Sequence, residues 1–349
     1  MISIIGAGPA GSYLASLLDD EVNIFDYKEK IGNPIQCTGV LTNKFESFIP
    51  EKMFIDNKIN NIELNSKNES YTIKLKNPEF IIDRHKYDNY LLEKAIDKGA
   101  KFYSKHMFKD FSKNKIYFNN SKIYETDILV GADGPMSKVN KVAKIQNNKK
   151  FWVAKQIKVK YKTDPDTYRV FFNIPDFFSW VVPENENVAR IGCASSTNVN
   201  EHFENLMKTL KVKKENIIEY EGALIPKYNP MQKYQKENVY LIGDAASLIK
   251  NISGGGLLPA IKSSHALANA LNNKKNYKKE LSKTVLKGLN LNYITRNMLN
   301  KFSEKDYDSL IKALREYKIE KLDRDELRYS DFLKPKIGLI SLKALIKSI

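Results

Sequence analysis

The first twenty-six residues constrain this chain most. Met1-Ile2-Ser3-Ile4-Ile5 is a short run rich in β-branched residues. It leads into Gly6-Ala7-Gly8-Pro9-Ala10-Gly11, then Tyr13-Leu14-Ala15-Ser16-Leu17-Leu18 at helical spacing, then Val22-Asn23-Ile24-Phe25-Asp26. The order is strand, glycine-rich turn, helix, strand, carboxylate. Gly6 permits the tight turn, Gly8 lets the backbone approach a pyrophosphate, and Gly11 lets helix and strand pack closely. Pro9 and Ala10 lie in the same turn, and Asp26 is placed for ribose hydroxyls. A lone Gly-x-Gly-x-x-Gly says little, but here each flanking requirement is met, and the pattern predicts dinucleotide binding.

Downstream the texture changes. Ile59 to Leu75 alternates as a hairpin would, and Asp83 precedes a helical pattern through Ile96 that Gly99 closes. Short strands follow between Lys101 and Asn147, the last being Asp127-Ile128-Leu129-Val130. Residues 153–161, 168–172, 180–182 and 189–193 read as antiparallel strands, 201–211 as a helix, 238–242 as a buried strand and 259–271 as a helix. The remainder is helical and lysine-rich.

Composition narrows the function classes. With 349 residues, 42% of them hydrophobic, two structural units are expected. The chain has 57 basic and 41 acidic side chains, a net charge of +16, but only seven of the basic residues are arginine. Readers of bases and phosphates lean on bidentate arginine, so nucleic acid is not the expected partner. No apolar run is long enough to span a bilayer. Cys37 and Cys193 cannot build a disulfide framework, the four histidines show no metal-ligand spacing, and the N-terminus lacks a signal-peptide pattern, which predicts a cytoplasmic protein without a metal.

Three separated segments carry a resemblance. Gly6 to Gly11, Gly131-Ala132-Asp133-Gly134-Pro135-Met136-Ser137 and Gly243-Asp244-Ala245-Ala246 resemble, in order and spacing, the three fingerprints of flavoproteins of the para-hydroxybenzoate hydroxylase (GR2) fold. Within that superfamily the chain is similar to the geranylgeranyl reductases, including the digeranylgeranylglycerophospholipid reductases. The segments Ile31 to Gly39, Asp83-Arg84, Phe178-Ser179-Trp180-Val181-Val182-Pro183 and Gly254-Gly255-Gly256-Leu257-Leu258-Pro259-Ala260 add to it. Where the family's aromatic stretch reads Tyr-x-Trp-x-Phe-Pro, this chain keeps Trp180 and Pro183 and carries Phe178 and Val182.

The resemblance implies an α/β fold: a Rossmann-like FAD-binding domain from 1–50, 80–148 and 236–280, an antiparallel-sheet substrate domain from 51–79 and 149–235, and a C-terminal helical region, 281–349. It places Asp244 on the ribityl chain of FAD, where the residues alone would also allow a helix cap, and Gly243 in the same turn. It gives Asp133 a part in the cofactor domain that largely supports the fold. Arg84, a cation against its helix dipole, calls for an anion; the resemblance makes that anion the cofactor, against a plain surface arginine. Gly254, Gly255 and Gly256, with Leu257, suit close approach of backbone amides to the flavin, or form a loop. Cys37 is implied over the flavin face, able to steady the cofactor or to protonate the substrate carbon, against an inert packing role. Trp180, Phe178 and Pro183 line an apolar pocket, or are sheet core.

The activity so implied is FAD-dependent saturation of the carbon–carbon double bonds of isoprenoid (geranylgeranyl) chains in membrane lipids or their precursors. A flavin-dependent monooxygenase of the same fold and a non-catalytic flavin module are the alternatives. No second Gly-x-Gly-x-x-Gly is present to hold a nicotinamide, so the electron donor is transiently docked NAD(P)H or an acidic ferredoxin suited to a basic surface. From Phe332 to Ile349, Lys334, Lys336, Lys343 and Lys347 face no acidic side chain, and Leu339, Leu342, Leu345, Ile346 and Ile349 share a helical face. That is the pattern of a peripheral membrane helix or of a helix docked on the protein's own core.

Overall fold

The computed structural model describes residues 1–32, 37–42, 45, 48 and 54–316. The chain divides into two compact units: Met1–Ile35, Arg84–Phe151 and Leu224–Tyr293 form one, and Gln36–Asp83, Trp152–Ala223 and Ile294–Ile349 the other.

The first unit is built on a six-stranded sheet in the order Gln235–Lys236, Val239–Leu241, Ile128–Gly131, Ile2–Ile5, Val22–Phe25, Lys101–Tyr103. All neighbours are parallel except the first pair. Ile2–Ile5 and Val22–Phe25 are buried at every position, as parallel strands covered on both faces must be. Helices Pro9–Ala15 and Leu257–Asn272 pack on each other above this sheet. One core joins Ile4, Leu14, Ile24, Leu129, Leu241, Leu267 and Leu281. A small antiparallel sheet of Phe108–Ser112, Lys115–Phe118 and Ile123–Glu125 is attached.

The second unit centres on an eight-stranded sheet in the order Ile217–Pro226, Phe151–Lys160, Val188–Ser195, Ser179–Pro183, Thr167–Phe171, Ile55–Asn65, Ser70–Ile82, Val40–Leu41. It is not purely antiparallel: Thr167–Phe171 runs parallel to Ile55–Asn65, so the hairpin of 55–82 extends the same sheet. On the strands 151–195 one face carries Ile157, Val159, Val181, Ala189, Ile191 and Cys193, each no more than 1% exposed. Helix Val199–Thr209 lies on that side, where Lys155 reaches Asn200 and sits over the Phe203 ring. The opposite face presents Gln156, Lys158, Trp180, Arg190 and Gly192, because successive residues of a strand alternate sides.

The two units do not follow the boundaries expected from the sequence. Residues 224–235 go with the first unit, where Tyr228 donates its hydroxyl to Asn290 and Tyr234 enters the core. The expected C-terminal helical region is, in its described part, shared out: Leu281, Val285, Leu286 and Leu289 join the first core. Helix Glu304–Glu316 instead lies on the hairpin of the second unit, with Tyr307 stacked on Phe172 at 4.8 Å and Arg315 bonded to Glu69 at 2.8 Å. The amphipathic stretch 332–349 lies outside the described residues. Among those described, no helix is long and apolar enough to cross a membrane.

Candidate functional site

In the first unit the three fingerprints meet. A Cβ on Gly6, whose φ is +107°, would lie 2.3 Å from the Ala132 carbonyl oxygen, so only glycine lets the first turn touch the second. A Cβ on Gly11 would lie still closer, 2.0 Å from the Gly6 carbonyl oxygen, and one on Gly243 of the third would face the Ala10 methyl. Pro9 opens the helix, where its missing N–H is no loss, and the Ala10 carbonyl accepts from Ser264 Oγ at 2.8 Å. A Cβ on Gly8 would meet nothing within 4 Å: the turn faces open space there.

Asp244 sits at the end of strand Val239–Leu241, in a short turn that the next helix does not continue. Its carboxylate accepts no hydrogen bond from any described residue. A Cβ on Gly256 would lie 2.7 Å from Asp244 Oδ1, so the glycine is what admits the carboxylate. Burial pushes the Asp244 carboxyl up, against the opposing pull of Lys149 and then Arg84. Lys149 donates to the carbonyls of Pro135 (3.0 Å), Asp244 (3.3 Å) and Ala245 (3.0 Å), stapling the second fingerprint to the third. Its own burial brings its pKa down to about 8.

An acceptor without a donor, beside backbone that leaves room, is what a cofactor hydroxyl requires, and the residues fit FAD. Asp26 is buried, its Oδ2 accepting from the Ala7 amide and its Oδ1 from the Lys28 amide, each at 2.8 Å. Each oxygen keeps a further lone pair for a ribose hydroxyl.

Other residues expected at the cofactor also have partners within the protein. Asp133 accepts from Ser137 Oγ (2.5 Å) and the amides of Lys138 (2.7 Å) and Val139 (3.1 Å), so it fastens the start of helix Lys138–Ala143. Arg84 finds its anion in its own helix: Nε and one terminal nitrogen grip the two oxygens of Asp88 at 2.9 and 3.0 Å. Of the glycine cluster, Gly254 donates to the Lys250 carbonyl and Gly255 to Ser253 Oγ, while the Gly256 amide meets no acceptor among the described residues; Leu257 begins the following helix.

In the second unit Trp180 lies flat across from Gly192, where a Cβ would come within 2.7 Å of the indole. Its Nε1 donates to Gln156 Oε1 at 2.7 Å. Phe178 stands edge-on to Trp180 and stacks on Phe177 at 4.4 Å. Pro183 does not join them: it is an odd number of residues from Trp180 and so belongs to the other face. Cys37 is partly exposed, its Sγ accepting from the Gly39 amide at 3.3 Å and its carbonyl accepting from Arg190 at 2.9 Å. Cys193 is buried in the aliphatic face, and burial pushes its thiol up to about 12.

Sequence reasoning missed Lys149, Gln156, Arg190 and Glu221. For Arg190 a signal existed, since it is one of seven arginines and lies two residues before Gly192 in a strand.

The fold is the α/β fold of flavoproteins of the para-hydroxybenzoate hydroxylase type. No family model matches the chain. Among curated relatives, the digeranylgeranylglycerophospholipid reductase of Methanosarcina acetivorans is 24% identical, over 99% of this chain and 96% of its own length. That of Methanococcus aeolicus is 27% identical over 92% of both. These are the reductases that the motifs resemble. Among solved structures, a geranylgeranyl bacteriochlorophyll reductase-like protein from Thermoplasma acidophilum superposes with a TM-score of 0.81 at 19% identity, over 99% of this chain and 95% of that one. A halogenase solved with FAD gives 0.68 at 13% identity, over 90% and 79%.

Proposed function

We propose that the protein is an FAD-dependent reductase that saturates carbon–carbon double bonds of geranylgeranyl chains in membrane lipids or their precursors. The observation that carries the cofactor is the Asp244 carboxylate, admitted by Gly256 and left without a donor among the described residues. The substrate class is supported by relatives named digeranylgeranylglycerophospholipid reductase that align along nearly their whole length.

Asp244 would accept from the ribityl hydroxyls, Asp26 from the ribose, and the Gly6–Gly11 turn would take the pyrophosphate into the open space at Gly8. Bound and reduced, FAD supplies a hydride to one alkene carbon. The neighbouring carbon then needs a proton, and the Cys37 thiol is the donor that the resemblance implies; the chain must also hold the alkene and exclude water. The reducing equivalents come from NAD(P)H docked transiently or from an acidic ferredoxin.

Solved neighbours include halogenases and a monooxygenase, so oxygen chemistry is the second reading. Anaerobic incubation of the reduced holoprotein with a geranylgeranyl phospholipid, followed by product mass, separates them. Gain of two hydrogens per alkene is expected. No gain anaerobically, with oxygen incorporated under air, selects the hydroxylase.

A further inference from the structure

The face of the second sheet that carries Trp180 holds a connected polar chain. The Trp180 indole donates to Gln156 Oε1, and Gln156 Nε2 donates to Glu221 Oε2. Glu221 is gripped by one terminal nitrogen of Arg190 at 3.0 and 3.3 Å, and that same nitrogen donates to the Cys37 carbonyl at 2.9 Å. Arg190 Nε is bonded to Glu184 at 2.7 Å, and Lys158 holds the other Glu184 oxygen at 2.6 Å. Two cations and two carboxylates therefore balance at a site where the Arg190 and Glu221 side chains are only 12% and 4% exposed.

The direction of each bond is fixed. A carboxylate can only accept, so ionised Glu221 obliges Gln156 to present its NH2 there and its oxygen to Trp180. The guanidinium offers both hydrogens of one nitrogen, one to Glu221 and one to Cys37, which an ammonium on a flexible stem does not reproduce. Gly192, by having no side chain, lets the indole lie where this oxygen can reach it.

We propose that Arg190, directly at the Cys37 carbonyl and through Glu221 and Gln156 at Trp180, is a positioning residue that holds the Cys37 turn and the Trp180 ring in fixed relation on one face of the sheet. It rests on the reductase reading only in what the two ends would do: Cys37 as proton donor, Trp180 as pocket wall. Arg190 acts on substrate and cofactor only through these two ends.

The test reads each end of the chain after a change at the other, in the full-length holoprotein. Iodoacetamide alkylation, followed by intact mass, reports Cys37, since Cys193 is buried; the emission difference from a Trp180→Phe protein reports Trp180. Arg190→Lys is expected to speed Cys37 alkylation about tenfold, as loss of one charge-assisted hydrogen bond would, and to shift the Trp180 emission. Gln156→Leu, remote from Cys37, is expected to speed alkylation about threefold by loosening Glu221. With a geranylgeranyl phospholipid, both variants should lose kcat with little change in KM. Alkylation within twofold of the parent in both variants overturns the proposal. If Arg190→Lys does not fold, Glu221→Gln, equal in shape, is judged by the same two readouts. Coupled ends in a protein that reduces no lipid would instead overturn the reductase reading and leave the positioning role standing.

Discussion

A methyl group on residue 256 would come within 2.7 Å of Asp244 Oδ1. The glycine and the carboxylate are one feature: the first has no side chain, and so the second can sit beside backbone. Gly256→Ala is therefore expected to keep the fold and to weaken FAD binding by about tenfold or more, the cost of displacing one acceptor from a cofactor hydroxyl. Titration of FAD into apoprotein, with circular dichroism as the folding control, measures it. Unchanged affinity would remove Asp244 from the cofactor site.

Gly8 and Gly11 stand on either side of Pro9 and Ala10, yet they should fail differently. Gly8 has a φ of −71° and open space around its would-be Cβ, so Gly8→Val should fold and lose FAD retention if, as proposed, the branched side chain fills the space that takes the pyrophosphate. Gly11→Val should not fold, since its Cβ alone would lie 2.0 Å from the Gly6 carbonyl oxygen. Thermal melting of the two apoproteins separates these outcomes. The chromophore released from denatured parent protein should be FAD.

The frame of the first unit was legible because its logic is local. Strand, turn, helix and acid follow one another from Ile2 to Asp26, and glycines mark where backbone must approach backbone. Arg84 was legible as a cation needing an anion and Asp133 as a support of the fold, but the partners the structure gives them, Asp88 and the Lys138 and Val139 amides, lie within a few residues and carry no motif of their own. Lys149 was not legible: its three acceptors are backbone carbonyls of Pro135, Asp244 and Ala245, and a carbonyl leaves no trace in residue type. The Arg190 chain escaped for another reason, since Gln156, Trp180, Arg190 and Glu221 come from four strands and only the sheet register brings them together. Pro183 failed on parity, one residue placing it on the opposite face from its neighbour Val182.

Lys149 carries a pH signature. Its folded pKa of about 8 lies below the ordinary 10.5, because burial disfavours the ammonium more than Asp244 and Asp133 favour it. A lysine depressed in the folded state releases its proton there first, so its contribution to stability is present above about 10.5 and is lost as pH falls through about 8. Between those values the parent should gain stability with rising pH relative to Lys149→Met. Urea midpoints of both proteins across about pH 8 to 10.5 check the sign. A difference that stays flat, or runs the other way, would show that burial does not depress the Lys149 pKa. Removing the staple should also weaken FAD retention, since the Asp244 turn loses two of its holds.

The two cysteines should separate chemistry from packing. Cys37 is partly exposed, in a turn whose carbonyl Arg190 holds, while Cys193 is fully buried under helix Val199–Thr209 with its thiol pushed up to about 12. A thiol so placed is neither reachable nor ionised, so native protein should take up one equivalent of iodoacetamide and denatured protein two. Cys37→Ser should retain FAD and slow alkene reduction by about tenfold or more, because a hydroxyl is a far weaker acid than a thiol and general acid catalysis contributes at least that much. Cys193→Ala should lower the melting temperature, through a small cavity in the aliphatic face, and leave turnover per folded molecule unchanged. Single-turnover rates with a geranylgeranyl phospholipid decide the matter. Equal rates for Cys37→Ser and parent would return Cys37 to a packing role and leave the proton to water.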